Sequence, residues 1–263
     1  MIPIKTKEEI EIMQRGGRIL AGVMTEVIKN AQPGVKTKEL DQLAEQLIIK
    51  NKAKPGFKMV KGYHWASCIN INDGLVHGIP GDYKIKTGDV VTIDLGAYYQ
   101  GFHTDMARTL LVQNQKSNPP AGRAGIKNQK SIERFLRVGK LALKNATAMA
   151  QPRNYIGHIS KAIQETIEAA GYNCSRRFTG HGVGKELHEE PKILCFLEGE
   201  IETTSQLKEG VILAIEIIYT EGSSEIKIAK NGWTVKTIDA KLGGLFENTV
   251  AVTKAGPSVL TMI

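Results

Sequence analysis

The first fifty residues carry apolar side chains at helical spacing. Thr6 followed by Glu9 has the form of an N-terminal capping box, and the apolar positions of residues 10–28 repeat every three to four residues until Pro33-Gly34. Residues 37–48 then show a second apolar stripe. The pattern predicts two consecutive amphipathic helices.

The pattern changes beyond Pro55-Gly56. Residues 83–112 contain β-branched and apolar runs separated by Gly96 and Gly101, as is typical of strands in a hairpin. Such a hairpin would return the chain beside its first strand. We therefore expect antiparallel β-structure after the two helices.

A segment without apolar periodicity divides the chain. Residues 113–130 contain adjacent prolines and no acidic residue, which predicts a long surface loop. Helical spacing returns over residues 132–142 and 156–170, and strand formers follow Gly171. Two helices followed by strands thus occur twice, so we expect a single domain, residues 1–263, made of two related halves.

A nine-residue echo supports this duplication. Residues 86–94 (KTGDVVTID) and 208–216 (KEGVILAIE) share lysine, glycine, isoleucine and a final acid at matching positions. Two such strands lying side by side would bring Asp94 and Glu216 together.

Composition narrows the class of protein. The 35 Lys and Arg against 27 Asp and Glu give a net charge of +8, and 41% hydrophobic residues suffice for a large core. The cysteines, at positions 68, 174 and 195, form no CxxC pair, and no apolar stretch is long enough for a membrane span or signal peptide. We expect a cytoplasmic globular protein; the positive charge suits a ribosome or other anionic surface, or no anionic partner at all.

Four acids lie within strand-like apolar runs, where an unpaired carboxylate is costly. Asp94 and Glu216 end the echoed runs, Asp105 lies in GFHTDMART, and Glu247 lies in LFENTVAV. Any one of them could end a strand at the surface or pair with a lysine. Four together indicate a cation site.

The segment GHGVGKELHEEP adds His181 and His188, with glycines at 180, 182 and 184 that permit close backbone approach. One imidazole with four carboxylates suits divalent metals, and four negative charges balance two M²⁺ ions. Paired cations activate water in hydrolases. The residues therefore predict a dinuclear hydrolytic site.

The motifs resemble, over nearly the whole chain, those of the type I methionine aminopeptidase family. They are VHGIP (His77), TIDLG, GFHTDMART, GHGVGKELHEEP, AIEI, GWTVKT (Trp233) and FENTV. The resemblance implies an α/β (α+β) fold of the pita-bread type, with pseudo-two-fold symmetry and an antiparallel sheet covered by helices. It also implies two divalent cations (Co, Mn, Fe or Zn), held by Asp94, Asp105, His181, Glu216 and Glu247, with Asp105 and Glu247 bridging them.

The same resemblance implies a reaction: a monomer removes the initiator methionine from nascent polypeptide N-termini when the next residue is small. Glu216 would be the general base, and His77 and His188 would contact the scissile amide and stabilise the oxyanion. His77 could instead be a simple turn residue. The methionine pocket would contain Tyr63, Cys68 and Trp233, with Leu187 as a further candidate. His64, His103 and His158 receive no catalytic role.

Some positions depart from the family pattern. Ile217 and Ile218 stand where Pro and Met are usual after the acid, which affects the local strand and the pocket wall. Asn248 replaces the usual His, so a hydrogen bond next to the metal ligands would differ. The basic segment 113–130 is long for the family; it is either a solvated linker or a contact with ribosomal RNA.

Two other functions are compatible with parts of the pattern. A prolidase or proline-specific aminopeptidase would share the five ligands but usually carries an added N-terminal domain, whereas only about 76 residues precede His77. An RNA-binding protein on the same fold would have lost ligands, and this sequence retains all five. We expect neither membrane association nor sequence-specific nucleic-acid binding.

Overall fold

The computed structural model describes residues 2–113 and 123–262. Over those residues the chain forms four α-helices: α1 (Lys7–Asn30), α2 (Thr37–Lys50), α3 (Arg123–Ala148) and α4 (Ile156–Ala169). The strands before α3 are β1 (Lys54–Pro55), β2 (Ser67–Ile71), β3 (Gly74–Val76), β4 (Val90–Tyr99) and β5 (Phe102–Leu111). Those after α4 are β6 (Asn173–Cys174), β7 (Thr179–Gly182), β8 (Glu189–Leu194), β9 (Ile212–Thr220), β10 (Ile226–Ile228), β11 (Val235–Thr237), β12 (Gly243–Thr253) and β13 (Gly256–Val259).

The helices α1 and α2 form where the apolar spacing predicts them. The Thr6 hydroxyl accepts a hydrogen bond from the Glu9 N–H at 3.3 Å, and the Glu9 carboxylate accepts one from the Thr6 N–H at 2.9 Å, which completes the capping box. Leu20, Met24 and Val27 form part of the buried stripe of α1. Burial of this stripe supplies most of the stability that an isolated helix lacks. Among the described helices, we find none with the length and apolar character needed to cross a bilayer.

Ten of the described strands form one antiparallel sheet. Its central order is β4-β5-β12-β9; β1 and β2 pair with β4, β6 and β7 pair with β9, β8 pairs with β7, and β13 pairs with β12. Helix α1 contacts β4 and β5, whereas α3 contacts β9 and β12. A second, three-stranded sheet has the order β10-β11-β3. The helix-covered antiparallel sheet agrees with the predicted fold class.

The echoed segments make the same turn and the same hydrogen bond. Gly88 and Gly210 have φ values of 93° and 88°, in the left-handed region that favours glycine. The Gly88 N–H donates to the Val112 carbonyl at 2.8 Å, and the Gly210 N–H donates to the Val252 carbonyl at 3.0 Å. The turns that lead into β4 and β9 therefore have the same conformation and the same hydrogen bond.

The connections from helix to sheet repeat as well. Before α2, the Gly34 N–H donates to the Ile85 carbonyl at 2.8 Å; before α4, the Arg153 N–H donates to the Leu207 carbonyl at 3.1 Å. These matched contacts confirm the internal pseudo-two-fold symmetry that the echo predicts.

Two local predictions need correction. The predicted loop over residues 113–130 is wrong from Arg123 onward, where α3 begins, and residues 114–122 lie outside the described residues. Ala, Lys and Gln have favourable helix propensities, so a helix anchored by its apolar face beyond residue 131 extends at little cost toward the N-terminus. Gly96 lies inside β4 rather than in the hairpin turn, which is formed by Gln100 and Gly101, both with positive φ.

Candidate metal centre

Strand register explains how residues far apart in sequence meet. Directly opposed residues of antiparallel strands point to the same face. One row of opposed residues crosses the sheet in the order Cys68, Asp94, Ala107, Glu247 and Glu216. Asp105 lies two residues from Ala107, and His181 opposes Ala214, two residues from Glu216. All five predicted ligands therefore share one face of the sheet.

The opposite face of these strands is covered by the helices. Ile93 and Leu95 flank Asp94 and are fully buried in a cluster with the apolar stripe of α1. Ile215 and Ile217 flank Glu216 in the same way and are buried in a cluster with residues of α3 and α4. The alternation of apolar and acidic side chains thus separates the hydrophobic core from the acidic site.

Three of the predicted ligands form a compact group. Asp105, His181 and Glu247 are buried, and their ligand atoms lie within 4.8 Å of one another. Within the described part of the chain, Asp94 Oδ1 and Glu247 Oε1 are buried without a hydrogen-bond partner. Buried carboxylate oxygens without donors are costly, and a divalent cation would satisfy them. The donor set therefore fits a metal.

Burial and mutual repulsion act on the acids together. Burial raises the pKa of Asp105 to about 7. Burial, with Asp105 and Glu216 nearby, raises the pKa of Asp94 well above its usual range, and burial beside Asp105 does the same to the pKa of Glu216. The pKa of Glu247 also rises, because burial and the neighbouring acids outweigh the cation Arg108. Removal of protons from this cluster requires a compensating positive charge.

The ring of His181 is oriented in a way that suits its predicted role as a neutral ligand. Its Nδ1–H donates to the Gly182 carbonyl at 2.8 Å, which leaves Nε2 free for a cation. Burial, with a smaller effect of His188, lowers the pKa of His181 to about 4. A Cβ atom at Gly180 or Gly182 would collide with the backbone of the neighbouring strands, so these glycines permit the predicted close approach.

His77 and His188 lie at the same cavity as the five ligands. His77 directly follows β3 with a φ of 55°, a left-handed conformation uncommon for a residue with a side chain. Its ring meets Phe178 edge-on at 5.5 Å, and the His188 ring packs against that of His181 at 4.5 Å. Burial lowers the pKa of both His77 and His188, so each is neutral near pH 7 and can donate one N–H.

The predicted pocket residues surround a cavity of about 250 Å³. The Tyr63 hydroxyl donates to the Ser67 carbonyl at 2.8 Å and lies 3.2 Å from Cys68 Sγ. The rings of Tyr63 and Trp233 are 5.1 Å apart, and Leu187 joins the same apolar cluster. The pocket wall is thus built from strand β2 and from loops of both halves.

Other lining residues were not predicted from the sequence. They are Phe57, Val60, Val76, Arg177, Phe178 and Thr179. Phe178 and Thr179 directly precede GHGVG, and Phe57 directly follows Pro55-Gly56, so proximity to recognised motifs could have indicated them. Of the histidines given no role, His103 is buried near the site, whereas the Nδ1 of His158 accepts the Tyr155 N–H at the start of α4.

The residues that depart from the family pattern do not belong to the described cavity lining. Strand β9 continues through Ile217 and Ile218, which are fully buried and do not belong to the described cavity lining. Asn248 Oδ1 accepts a hydrogen bond from Arg108 at 2.7 Å, and Arg108 also donates to the Glu247 carbonyl at 2.6 Å. Asn248 thus supports the contact between β5 and β12 from behind Glu247.

Known proteins resemble this chain in sequence and in structure. The model of metallopeptidase family M24 matches residues 11–254. A methionine aminopeptidase of Clostridium perfringens is 37% identical over 263 residues, covering 100% of both chains. The crystal structure of methionine aminopeptidase from Thermotoga maritima superposes with a TM-score of 0.90 at 36% identity, covering 100% of each chain. Prolidase from Pyrococcus furiosus superposes with a TM-score of 0.73 at 29% identity, covering 99% of this chain and 65% of the prolidase.

Proposed function

The chain belongs to metallopeptidase family M24, and from that premise we propose that it removes the N-terminal initiator methionine from nascent proteins and peptides when the second residue is small. It is a metal-dependent hydrolase. The observation that carries the proposal is the acidic face of the sheet opening directly into an apolar, sulfur-containing pocket. A cleavage centre and a side-chain pocket thus share one cavity.

Two divalent cations would be held at this face, with cobalt, manganese, iron and zinc as candidates. Asp94, Asp105, His181, Glu216 and Glu247 would hold them. Asp105 and Glu247 lie on β5 and β12, the two strands between those of Asp94 and Glu216, and their ligand atoms lie within 4.8 Å of each other, which supports a shared site. The chemistry supplied by such cations, when bound, is acidification of a water and polarisation of the scissile carbonyl.

Glu216 would act as the general base. It is less buried than Asp94, Asp105 and Glu247, and it lines the cavity, so its carboxylate can reach both a ligand position and a water. His77 and His188, neutral near pH 7, would donate N–H groups to the scissile amide and to the oxyanion that forms on it. Glu216 would therefore take a proton from the attacking water, while the two histidines donate N–H groups to the scissile amide and its oxyanion.

The pocket would select methionine by shape and polarisability. Tyr63, Cys68 and Trp233 offer an apolar surface with a polarisable sulfur, and Leu187 closes it beside His188. A pocket of this kind discriminates by only ~1–3 kcal/mol per methylene group. We therefore expect graded rather than absolute rejection of leucine and norleucine at the first position.

The proposal extends to the setting of the reaction. Residues 1–263 would act as one domain and as a monomer, in the cytoplasm, on the N-termini of nascent polypeptides. The net charge of +8 supports a contact with the ribosome surface, for which the basic segment 113–130 is the candidate.

Activity on short peptides tests the function. We expect cleavage of Met-Ala-Ser with added Mn²⁺ or Co²⁺, loss of cleavage after chelation, and no cleavage of an Ala-Pro peptide. Cleavage of the Ala-Pro peptide instead would indicate the prolidase activity. If neither peptide is cleaved with any metal, the hydrolase proposal fails and RNA binding becomes the alternative to measure.

A further inference from the structure

The segment before α1 places a lysine inside the molecule, beside the loop that carries His188. Lys5 is only 6% exposed, and its ammonium group pairs with the Glu189 carboxylate, whose side chain is 9% exposed. Lysine is rarely buried this far unless it is paired. Every other Lys or Arg ion pair between described residues joins side chains that are at least 20% exposed. This pair is therefore unlike the surface pairs of the molecule.

The pair is connected to the loop of residues 183–188, here called the histidine loop. Glu189 directly follows His188, and its Oε1 accepts the Glu186 N–H at 3.2 Å. The Gly184 N–H donates to the Glu186 carbonyl at 3.0 Å, and the His103 N–H donates to the Gly184 carbonyl at 2.7 Å. Glu189 thus holds the turn of the loop while its other oxygen bonds Lys5.

Lys5 is itself held at both ends. Its backbone N–H donates to the Gly210 carbonyl at 2.8 Å, in the turn that leads into β9 and Glu216. Its ammonium group lies against Gly184, where an added Cβ would collide with the lysine Cε and Nζ atoms. The third glycine of GHGVG therefore makes room for Lys5, and the ion pair joins the turn before β9 to the histidine loop.

We propose that Lys5 is a positioning residue for His188. The Lys5–Glu189 pair fixes the histidine loop, and through it the distance between the His188 ring and the scissile amide. This inference rests on the proposed role of His188. Without Lys5, Glu189 becomes an unpaired buried acid, and the loop must rearrange to hydrate it.

Lys5→Met tests the proposal, with Lys185→Met as its matched control. Lys185 lies on the same loop, its side chain is 72% exposed, and its nearest acid, Glu9, is 3.9 Å away. We expect Lys5→Met to lower kcat on a Met-Ala-Ser peptide roughly ten- to hundred-fold, since a displacement of about 1 Å has effects of this size. KM and bound metal should change little, and Lys185→Met should behave as wild type. Equal kcat in wild type and Lys5→Met would overturn the proposal.

A double-mutant cycle separates positioning from general damage. His188→Ala should lower kcat by roughly 10²–10³, the usual effect of losing an oxyanion donor. In that background Lys5→Met should cause no further loss, because the residue it positions is gone. Multiplied losses would show that Lys5 acts elsewhere and would overturn the proposal.

Hydrogen exchange gives a readout that needs neither metal nor peptide. The amides of Gly184 and Glu186 should exchange faster in Lys5→Met than in wild type or Lys185→Met; unchanged exchange would overturn the proposal. If Lys5→Met does not fold, Glu189→Gln breaks the same ion pair with a side chain of the same size, and the same cycle and exchange measurements apply. Wild-type protein that cleaves no Met peptide would instead refute the proposed function, while exchange would still report on the loop.

Discussion

The first half of the molecule has Asp105 and Ala107 at the strand positions where the second half has Leu245 and Glu247. Two threonines establish this correspondence. The Thr249 hydroxyl accepts the Asp105 N–H at 2.8 Å and donates to the Asp105 carbonyl at 2.9 Å. The Thr109 hydroxyl makes the same two bonds with Leu245, at 2.9 Å and 2.7 Å. Equivalent backbones thus carry an acid in one half and a core leucine in the other.

The remaining two acids behave differently. Asp94 and Glu216 end the echoed segments 86–94 and 208–216, and both lie inside their strands, β4 and β9, as symmetry equivalents. The duplicated fold therefore accounts for one matched pair of carboxylates. The central acids, Asp105 and Glu247, are departures from the symmetry, and they are the ones that meet His181 within 4.8 Å. The proposed metal site therefore combines one symmetric pair of acids with two acids that the duplication does not explain.

The largest effects that we expect come from substituting the equivalent residues Asp105 and Leu245, with opposite consequences for activity and for stability. Asp105→Ala should abolish metal binding and turnover together, while the metal-free protein is no less stable, because a costly buried acid is removed. Leu245→Ala should cost about 2–5 kcal/mol of unfolding free energy through the cavity it leaves, yet retain metal binding. Calorimetric metal titration, denaturant unfolding and peptide assays measure all three quantities. An Asp105→Ala protein with the wild-type rate would refute the assignment of the central acids.

The pH dependence of stability sharpens the same contrast. The pKa of Asp105 rises from 3.8 to about 7 in the folded, metal-free protein, so the folded state keeps a proton that the unfolded chain loses. The stabilisation from this proton is full below about pH 4 and is lost as the pH rises to about 7, by up to ~1.4 kcal/mol per pH unit.

Buried histidines with lowered pKa values change stability with pH in the opposite direction. The effect of Asp105 is therefore measured as the difference in unfolding free energy between wild type and a variant that lacks this acid. Unfolding free energies of metal-free wild type and Asp105→Asn should be compared from pH 4 to pH 7. The wild type should lose stability relative to the variant as the pH rises. Leu245→Ala, which removes no titratable group, should shift stability by a nearly constant amount. A pH-independent difference for Asp105→Asn would contradict the raised pKa.

The smallest expected effects concern the two threonines. Thr249→Val and Thr109→Val should each cost about 1–3 kcal/mol, because each leaves a buried backbone N–H and carbonyl unpaired. Only Thr249→Val loosens the backbone of Asp105, so it alone should weaken metal affinity, by roughly ten-fold. Unfolding curves and metal titrations of the two variants provide the comparison. Equal metal affinities would show that the two hydrogen bonds of the Thr249 hydroxyl have no role in placing Asp105.

Much of the fold was predictable because its signals are local. The capping box at Thr6 and the apolar stripes depend on residues three or four apart, and the helices follow them. The acids within apolar runs were also recognisable from the sequence, since a carboxylate buried in such a run is costly unless it has a partner. The start of α3 at Arg123 was missed because the segment before its apolar face has no period of its own.

The pocket and its supports were less accessible from the sequence. Phe57 and Phe178 reach the cavity from segments far apart in the chain, and each resembles an ordinary core residue in its local context. Lys5 resembles any surface lysine beside a helix start; its burial depends on Gly184, Glu189 and Gly210, all about 180 or more residues away. No local pattern encodes such contacts.

The helices, the strand-borne acids, the duplication and the resemblance to a metal-dependent aminopeptidase could all be inferred from the amino-acid sequence, because periodicity and motif chemistry are properties of short segments. Which acids meet depends on the pairing of distant strands, since strand register sets Glu247 opposite both Ala107 and Glu216. The departure of the central acids from the symmetry and the support of the histidine loop by a lysine near the N-terminus also depend on the tertiary structure. These features arise from packing between distant segments, where a shift of one residue in register would turn every acid toward the hydrophobic core.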